Sequence, residues 1–258
     1  YEISECLVGS EMCIRDRYLI GAGPGDPGLI TYKGLQILKS CDAVIYDRLG
    51  TGELLDLVRP DCAKIYVGKQ AGAHYKKQEE INRILVETAE KYENVVRLKG
   101  GDSFVFGRGG EEILTLQEAD IPFQVIPGVT SAIAVPEVLG IPVTHREMSR
   151  SFHVITGHTA DNLSPEVEEI RWKSYAKLDE TFVFLMGLKS IDMITEKLMR
   201  YGKLSDTPVA VIHGENTDGT YVKLVGTLSD IAAKVKEVDF PSPAIIVVGE
   251  VASLELTD

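Results

Sequence analysis

The sequence predicts an α/β protein of two lobes, each a mixed, largely parallel sheet flanked by helices. Three observations carry this expectation. From Tyr18 onward, short apolar runs alternate with amphipathic segments, the order that builds parallel sheets through strand–helix–strand crossovers. The early apolar runs end in turns rich in Gly, Pro and Asp, and in an open α/β sheet the ligand edge lies at such strand ends. The chain of 258 residues, 44% apolar, also has the length for two units of about 100–150 residues with real cores.

The elements follow in order. A strand over 18–21 runs into Gly21-Ala22-Gly23-Pro24-Gly25-Asp26-Pro27-Gly28. Residues 31–40 carry Leu35, Ile37 and Leu38 in a helix that ends at Ser40-Cys41-Asp42. A strand over 43–46 ends at Asp47-Arg48, a short helix over 53–58 is closed by Pro60, and a strand over 64–67 ends at Gly68-Lys69. Ile81, Ile84, Leu85 and Ala89 fall at helical spacing within 77–91. A strand over 94–98 ends at Lys99-Gly100-Gly101-Asp102, a helix covers 111–119, and a strand over 123–126 ends at Pro127-Gly128. A helix starting near Thr130 leads on to strands at 152–156, 181–185, 209–213 and 244–248, with helices at 191–201 and 228–236 and a hairpin or strand pair within 219–227. This places a first lobe at 18–133, a linker at 134–150 and a second lobe at 151–258. Residues 1–17 do not read as the start of such a fold. The stretch 8–17 resembles a translated sequencing-adapter artefact, so 1–17 is expected to be a non-native or disordered extension.

The formal net charge of −12 gives no overall attraction for nucleic acid, and an anionic substrate would need a local basic pocket. No apolar run approaches the roughly 20 residues of a membrane span, and no signal-peptide pattern is present, so the expected location is cytoplasmic. Cys6, Cys13, Cys41 and Cys62 form no CxxC pair, which supports neither a zinc site nor a disulfide framework, and no metal is expected.

Three motifs carry chemistry. The loop 21–28 has glycines like a dinucleotide turn, but Pro24 and Pro27 each remove an N–H that a pyrophosphate cradle needs. In the block 97–112, paired glycines let a ligand approach the backbone, and Asp102 is placed to accept from an amino group. In Pro127-Gly128-Val129-Thr130-Ser131-Ala132, Thr130 caps a helix or sets a hydroxyl beside a ligand.

In order and spacing, YLIGAGPGDPGLIT, VIYDRL, VGK, RLKGGDSFVFGRGGEE, PGVTSA and GIPVTHR, followed by FLMGL and SPAIIVVGEV, resemble the uroporphyrinogen-III C-methyltransferase branch of the tetrapyrrole methylase family. The resemblance covers 18–251. It implies the two-lobed tetrapyrrole methylase fold, a homodimer, and S-adenosyl-L-methionine bound between the lobes, with S-adenosyl-L-homocysteine as by-product. By similarity, Pro24, Gly100, Gly101, Asp102, Val105, Thr130, Ser131, Met186, Gly214 and Ala244 line the cofactor site. Asp47 and Lys69 match the family's proton acceptor and donor. Two departures stand out: Ser103 replaces the usual proline after Asp102, and His213-Gly214-Glu215-Asn216 departs from the commoner turn.

The implied reaction methylates uroporphyrinogen III at C2 and C7 to give precorrin-2, which feeds sirohaem or cobalamin synthesis. Methylation leaves a cationic ring that must lose a proton. Asp47 at a strand end accepts it, unless it is merely paired with Arg48. Lys69 donates a proton or binds a carboxylate as a point charge. Arg48, Arg108 and Arg146 are the candidates for the substrate's carboxylates, or ordinary surface charges. His145 and His153 read as structural. A later corrin-ring methylase shares the cofactor loop, but YDRL, VGK and VTHR favour the uroporphyrinogen branch. The acidic charge argues against an RNA substrate, and the loop prolines against a nucleotide-binding regulatory module.

Overall fold

Strand ends decide where a site can lie in such a protein, so the pairing of the strands comes first. The structure, a computed structural model, describes residues 16–47, 52–68, 78–158, 164–214, 221–254 and 256. The chain divides into two compact units, Tyr1–Val129 and Thr130–Asp258.

The first unit runs β1 (Arg17–Gly21), α1 (Tyr32–Ser40), β2 (Ala43–Tyr46), β3 (Ala63–Tyr66), α2 (Gln78–Lys91), β4 (Val95–Lys99), α3 (Gly109–Glu118) and β5 (Gln124–Ile126). Its sheet has the order β3-β2-β4-β1-β5, and every pairing is parallel. Alternation along the strands splits the core between the two faces. Val44, Val96 and Leu98 pack with Leu38 and Leu54, while Ala43, Ile45 and Val95 pack with Ile81 and Leu85 of α2 and Leu116 of α3. Arg97 and Lys99 have the parity of Val95 and so enter the face covered by α2 and α3. Thr31 caps α1, its hydroxyl accepting from the Gly34 N–H at 3.4 Å.

The sheet begins one residue earlier than the sequence suggests. Arg17 belongs to β1 opposite Val95, is buried, and its guanidinium donates to the Ala89 carbonyl. Arg17, the last residue of the stretch 1–17 expected to be an extension, is thus ordered in the sheet, and residues 1–15 lie outside the described ones.

The second unit runs α4 (Ser131–Val138), β6 (Phe152–Thr156), α5 (Pro165–Lys177), β7 (Thr181–Leu185), α6 (Ile191–Arg200), β8 (Pro208–Gly214), β9 (Tyr221–Thr227), α7 (Ile231–Glu237) and β10 (Ile245–Val248). The sheet order is β6-β7-β10-β8-β9. It is mixed, as expected, but only β6–β7 is parallel, and β7–β10, β10–β8 and β8–β9 are antiparallel. The reason is topological: β9 folds straight back along β8, and the last strand inserts between β7 and β8 against both. Phe182, Phe184, Ile194, Leu198, Val211 and Ile246 centre its core. Helix α4 packs on β7, β8 and β10.

Candidate active site

In the first unit, parallel pairing sets the ends of β1, β4 and β5 side by side, and the turns that leave them are bound together. The Ala22 N–H donates to the Lys99 carbonyl at 2.7 Å, and Gly23 and Gly101 exchange hydrogen bonds at 3.2 and 2.7 Å. The backbones are so close that side chains are excluded. A Cβ on Gly21 would meet Gly101 O and Gly128 Cα at 2.6 Å, and one on Gly128 would meet Gly101 O at 2.3 Å. Asp102 fastens this junction. One carboxylate oxygen accepts from the Phe104 N–H at 2.9 Å and the other from the Gly128 N–H at 3.0 Å. The residue expected to accept from an amino group holds two turns in place.

The loop beyond is folded tightly on itself. The Ser103 carbonyl accepts from Gly109 N at 3.0 Å, and a Cβ on Gly107 or Gly109 would meet that oxygen at 2.6 Å. Phe106 and Arg108 adopt left-handed backbone with φ of 55° and 58°, a conformation that costs about 1 kcal/mol or more for such residues. Phe104 and Phe106 project into solvent, and Val105 is half-buried. Arg108 is exposed and pairs with Glu111 at 2.7 Å. Pro24, Gly100 and Gly101 are half-buried at the junction.

Asp47 follows β2 at the same edge of the sheet. Its partner is Arg97 on β4, whose Nη2 lies 3.2 Å from Asp47 Oδ2. Arg48 and Lys69 lie outside the described residues. Arg97 is only 3% exposed, and its Nη2 also reaches Glu112 Oε1 at 3.2 Å. Lys99 Nζ meets the same oxygen at 2.9 Å. Burial, reinforced by Arg97, pushes the Lys99 pKa below the usual lysine value, and Glu112 opposes the shift. Sequence reading missed this network. A signal was present: two cations in a central strand, Val95-Val96-Arg97-Leu98-Lys99, need buried anions to face them.

In the second unit, β7 and β8 run in the same direction because both are antiparallel to β10. Met186, Gly214 and Ala244 therefore come to one edge of that sheet. Met186 is exposed and left-handed at φ 58°. Gly157, after β6, abuts Gly187: a Cβ there would meet Gly187 Cα at 2.2 Å. Thr130 does cap α4, accepting from Ala132 N at 3.3 Å, and Ser131 beside it is half-buried. Arg146 is exposed. His145 sits in a turn closed by hydrogen bonds with Ser149, and His153 pairs with Glu180 at 2.5 Å while stacking on Phe182.

The family model for tetrapyrrole (corrin/porphyrin) methylases matches residues 18–232. The chain belongs to this family. Its relatives sharpen the picture of a tetrapyrrole methylase. A uroporphyrinogen-III C-methyltransferase from Methanocaldococcus jannaschii is 51% identical over 92% of this chain and 96% of its own length. A siroheme synthase from Photorhabdus laumondii is 48% identical, but this chain spans only 49% of that longer protein. Among solved structures, uroporphyrin III C-methyl transferase from Thermus thermophilus superposes with a TM-score of 0.76 at 37% identity, covering 92% of this methylase and 98% of the other chain. The same Thermus enzyme is also known complexed with S-adenyl homocysteine, at 35% identity and a TM-score of 0.76 over 92% of this chain and 93% of that one.

Proposed function

We propose that this methylase transfers methyl groups from S-adenosyl-L-methionine to C2 and C7 of uroporphyrinogen III, giving precorrin-2 for sirohaem or cobalamin synthesis. One observation carries the reading: 51% of 238 aligned residues are shared with a uroporphyrinogen-III C-methyltransferase along nearly its whole length. The glycine junction agrees with it. Pro24 and Pro27 offer no N–H to a pyrophosphate. Bare glycine backbone and one carboxylate suit an amino-acid conjugate whose ammonium and sulfonium leave it a net cation better than an anion. The cofactor residues are Pro24, Gly100, Gly101, Asp102 and Val105 in the first unit, and Thr130, Ser131, Met186, Gly214 and Ala244 in the second.

S-adenosyl-L-methionine supplies a methyl already activated by its sulfonium. The protein's task is alignment of the electron-rich pyrrole carbon with that methyl, an effect able to supply up to roughly 7–11 kcal/mol. Asp47, held by Arg97 at the strand edge, takes the proton the ring must lose. Lys69 is the donor, and Arg48, Arg108 and Arg146 meet substrate carboxylates. The protein works as a cytoplasmic homodimer.

Anaerobic incubation with S-adenosyl-L-methionine and uroporphyrinogen III, read by product mass, is the test. A gain of two methyl groups is expected, with Asp47→Ala and Lys69→Ala strongly slowed. Donor binding without methylation of this substrate would move the acceptor to a later corrin.

A further inference from the structure

The acceptor Asp47 is not an isolated carboxylate but the outer end of a buried chain of charges. Glu112 is 1% exposed, and among the described residues every donor that reaches it aims at a single oxygen, Oε1: Arg97 Nε at 3.3 Å, Arg97 Nη2 at 3.2 Å, Lys99 Nζ at 2.9 Å and Gln78 Nε2 at 3.5 Å. Its other oxygen, Oε2, is buried without a partner among the described residues. The same Arg97 Nη2 that serves Glu112 serves Asp47. Arg97 and Lys99 thus face Glu112 and Asp47, three of the four almost wholly buried, with the buried Arg17 of β1 bordering the same small cavity as Arg97 and Glu112, in surroundings where charges act on one another strongly. The other titratable groups described on Asp47's own and adjoining strands are Tyr46, Lys64 and Tyr66, and the remaining charged side chains of α2 and α3 are at least partly exposed.

We propose that Glu112 is a positioning residue for Asp47: by sharing Arg97 with it and balancing Lys99, Glu112 sets how tightly Asp47 holds a proton. Glu112 touches no substrate in this scheme and acts through Arg97. Burial and the neighbouring Arg97 hold Lys99 below the usual lysine value against the pull of Glu112. Removing the Glu112 charge takes a buried negative charge from the network that Asp47 shares, which favours the ionised form of Asp47 and makes it a weaker base. Removing the Lys99 charge takes away a positive one and does the opposite.

The inference rests on Asp47 as the proton acceptor, and the experiment separates the two. Methyl transfer from S-adenosyl-L-methionine to uroporphyrinogen III is followed against pH for the full-length protein and for Asp47→Ala, Glu112→Gln, Lys99→Met and Lys99→Arg. Glutamine is chosen because its carbonyl keeps the place of Oε1. Glu112→Gln is expected to move the acidic limb of the kcat profile down by about one pH unit and to lower the plateau, with KM little changed. Lys99→Met is expected to move the limb up by a similar amount, and Lys99→Arg to leave it in place. A structural role alone would lower stability and leave every limb where it was. Should Glu112→Gln fail to fold, the contrast between Lys99→Met and Lys99→Arg carries the same sign test. Limbs that coincide with the parent's, or that move together, overturn the inference while an impaired Asp47→Ala keeps the acceptor reading. Full activity in Asp47→Ala overturns both.

Discussion

The two units solve the same problem with different sheets. In the first, every strand is parallel, so three strand ends lie side by side and their turns crowd until Gly21, Gly101 and Gly128 touch. In the second, only β6 and β7 are parallel, and among the described residues one such contact forms, between Gly157 and Gly187. An antiparallel neighbour sets a strand start beside a strand end, and the crowding disappears. The units also differ in where they keep charge. The first buries Arg97, Lys99 and Glu112, whereas the ion pairs of the second, such as Lys197–Glu168 at 27% and 32% side-chain exposure, stay near solvent. Parallel central strands are covered on both faces, so any charge placed in them is buried.

The largest effect should come from that buried charge. Arg97→Met leaves Glu112 and Asp47 without their shared cation and should cost about 3–5 kcal/mol in urea unfolding. Lys197→Met, on the exposed pair, should cost about 0–1 kcal/mol. Equal losses would erase the distinction between the units. Next come the glycines. Gly128→Ala and Gly157→Ala each drive a Cβ into backbone and should lower stability by about 1–3 kcal/mol or more. Gly128→Ala should also abolish methyl transfer, since it forces the three turns apart. Gly110, with nothing within 4 Å of an added Cβ, is the control and should accept alanine without loss. A smaller gain lies at Ser103, whose hydroxyl is buried without a partner among the described residues. Ser103→Ala should raise stability by about 1 kcal/mol with methyl transfer retained, seen as a higher Tm.

Much of the first unit was legible because its periodicities and punctuation agree. Leu85 and Ala89 mark one face of α2, and each parallel strand ends in its own Gly or Asp turn. The second unit was less so. Nothing in the apolar run 244–248 tells that it enters the sheet antiparallel between β7 and β8, since direction is set by tertiary pairing. Helix α5 escaped the reading because Val167 and Ile170 are exposed and only Trp172 and Ala176 are buried, which leaves no apolar stripe. At the site, the glycine turns were visible as motifs. The partner of Asp47 was not. Arg48, which the sequence offers as a neighbour, lies outside the described residues, whereas Arg97 reaches Asp47 from fifty residues away on the neighbouring strand.

The smallest effect tests the exposed side of the comparison by pH. Glu180 accepts from Ser151 and from His153, and these bonds, Ser151 foremost, hold its carboxyl below the usual glutamate value. A carboxyl whose pKa is lowered by folding adds stability above its unfolded value, near pH 4.3, and loses it as pH falls through the folded value. The Tm difference between the parent and Glu180→Gln should therefore be present where Glu180 is ionised and vanish in acid, as pH falls through the folded value. Because the pair is open to solvent, the difference should also shrink as salt is raised, whereas the penalty for Arg97→Met should not. A salt-insensitive Glu180 would mean that the second unit protects its charges as the first does, and that sheet direction does not decide where charge is buried.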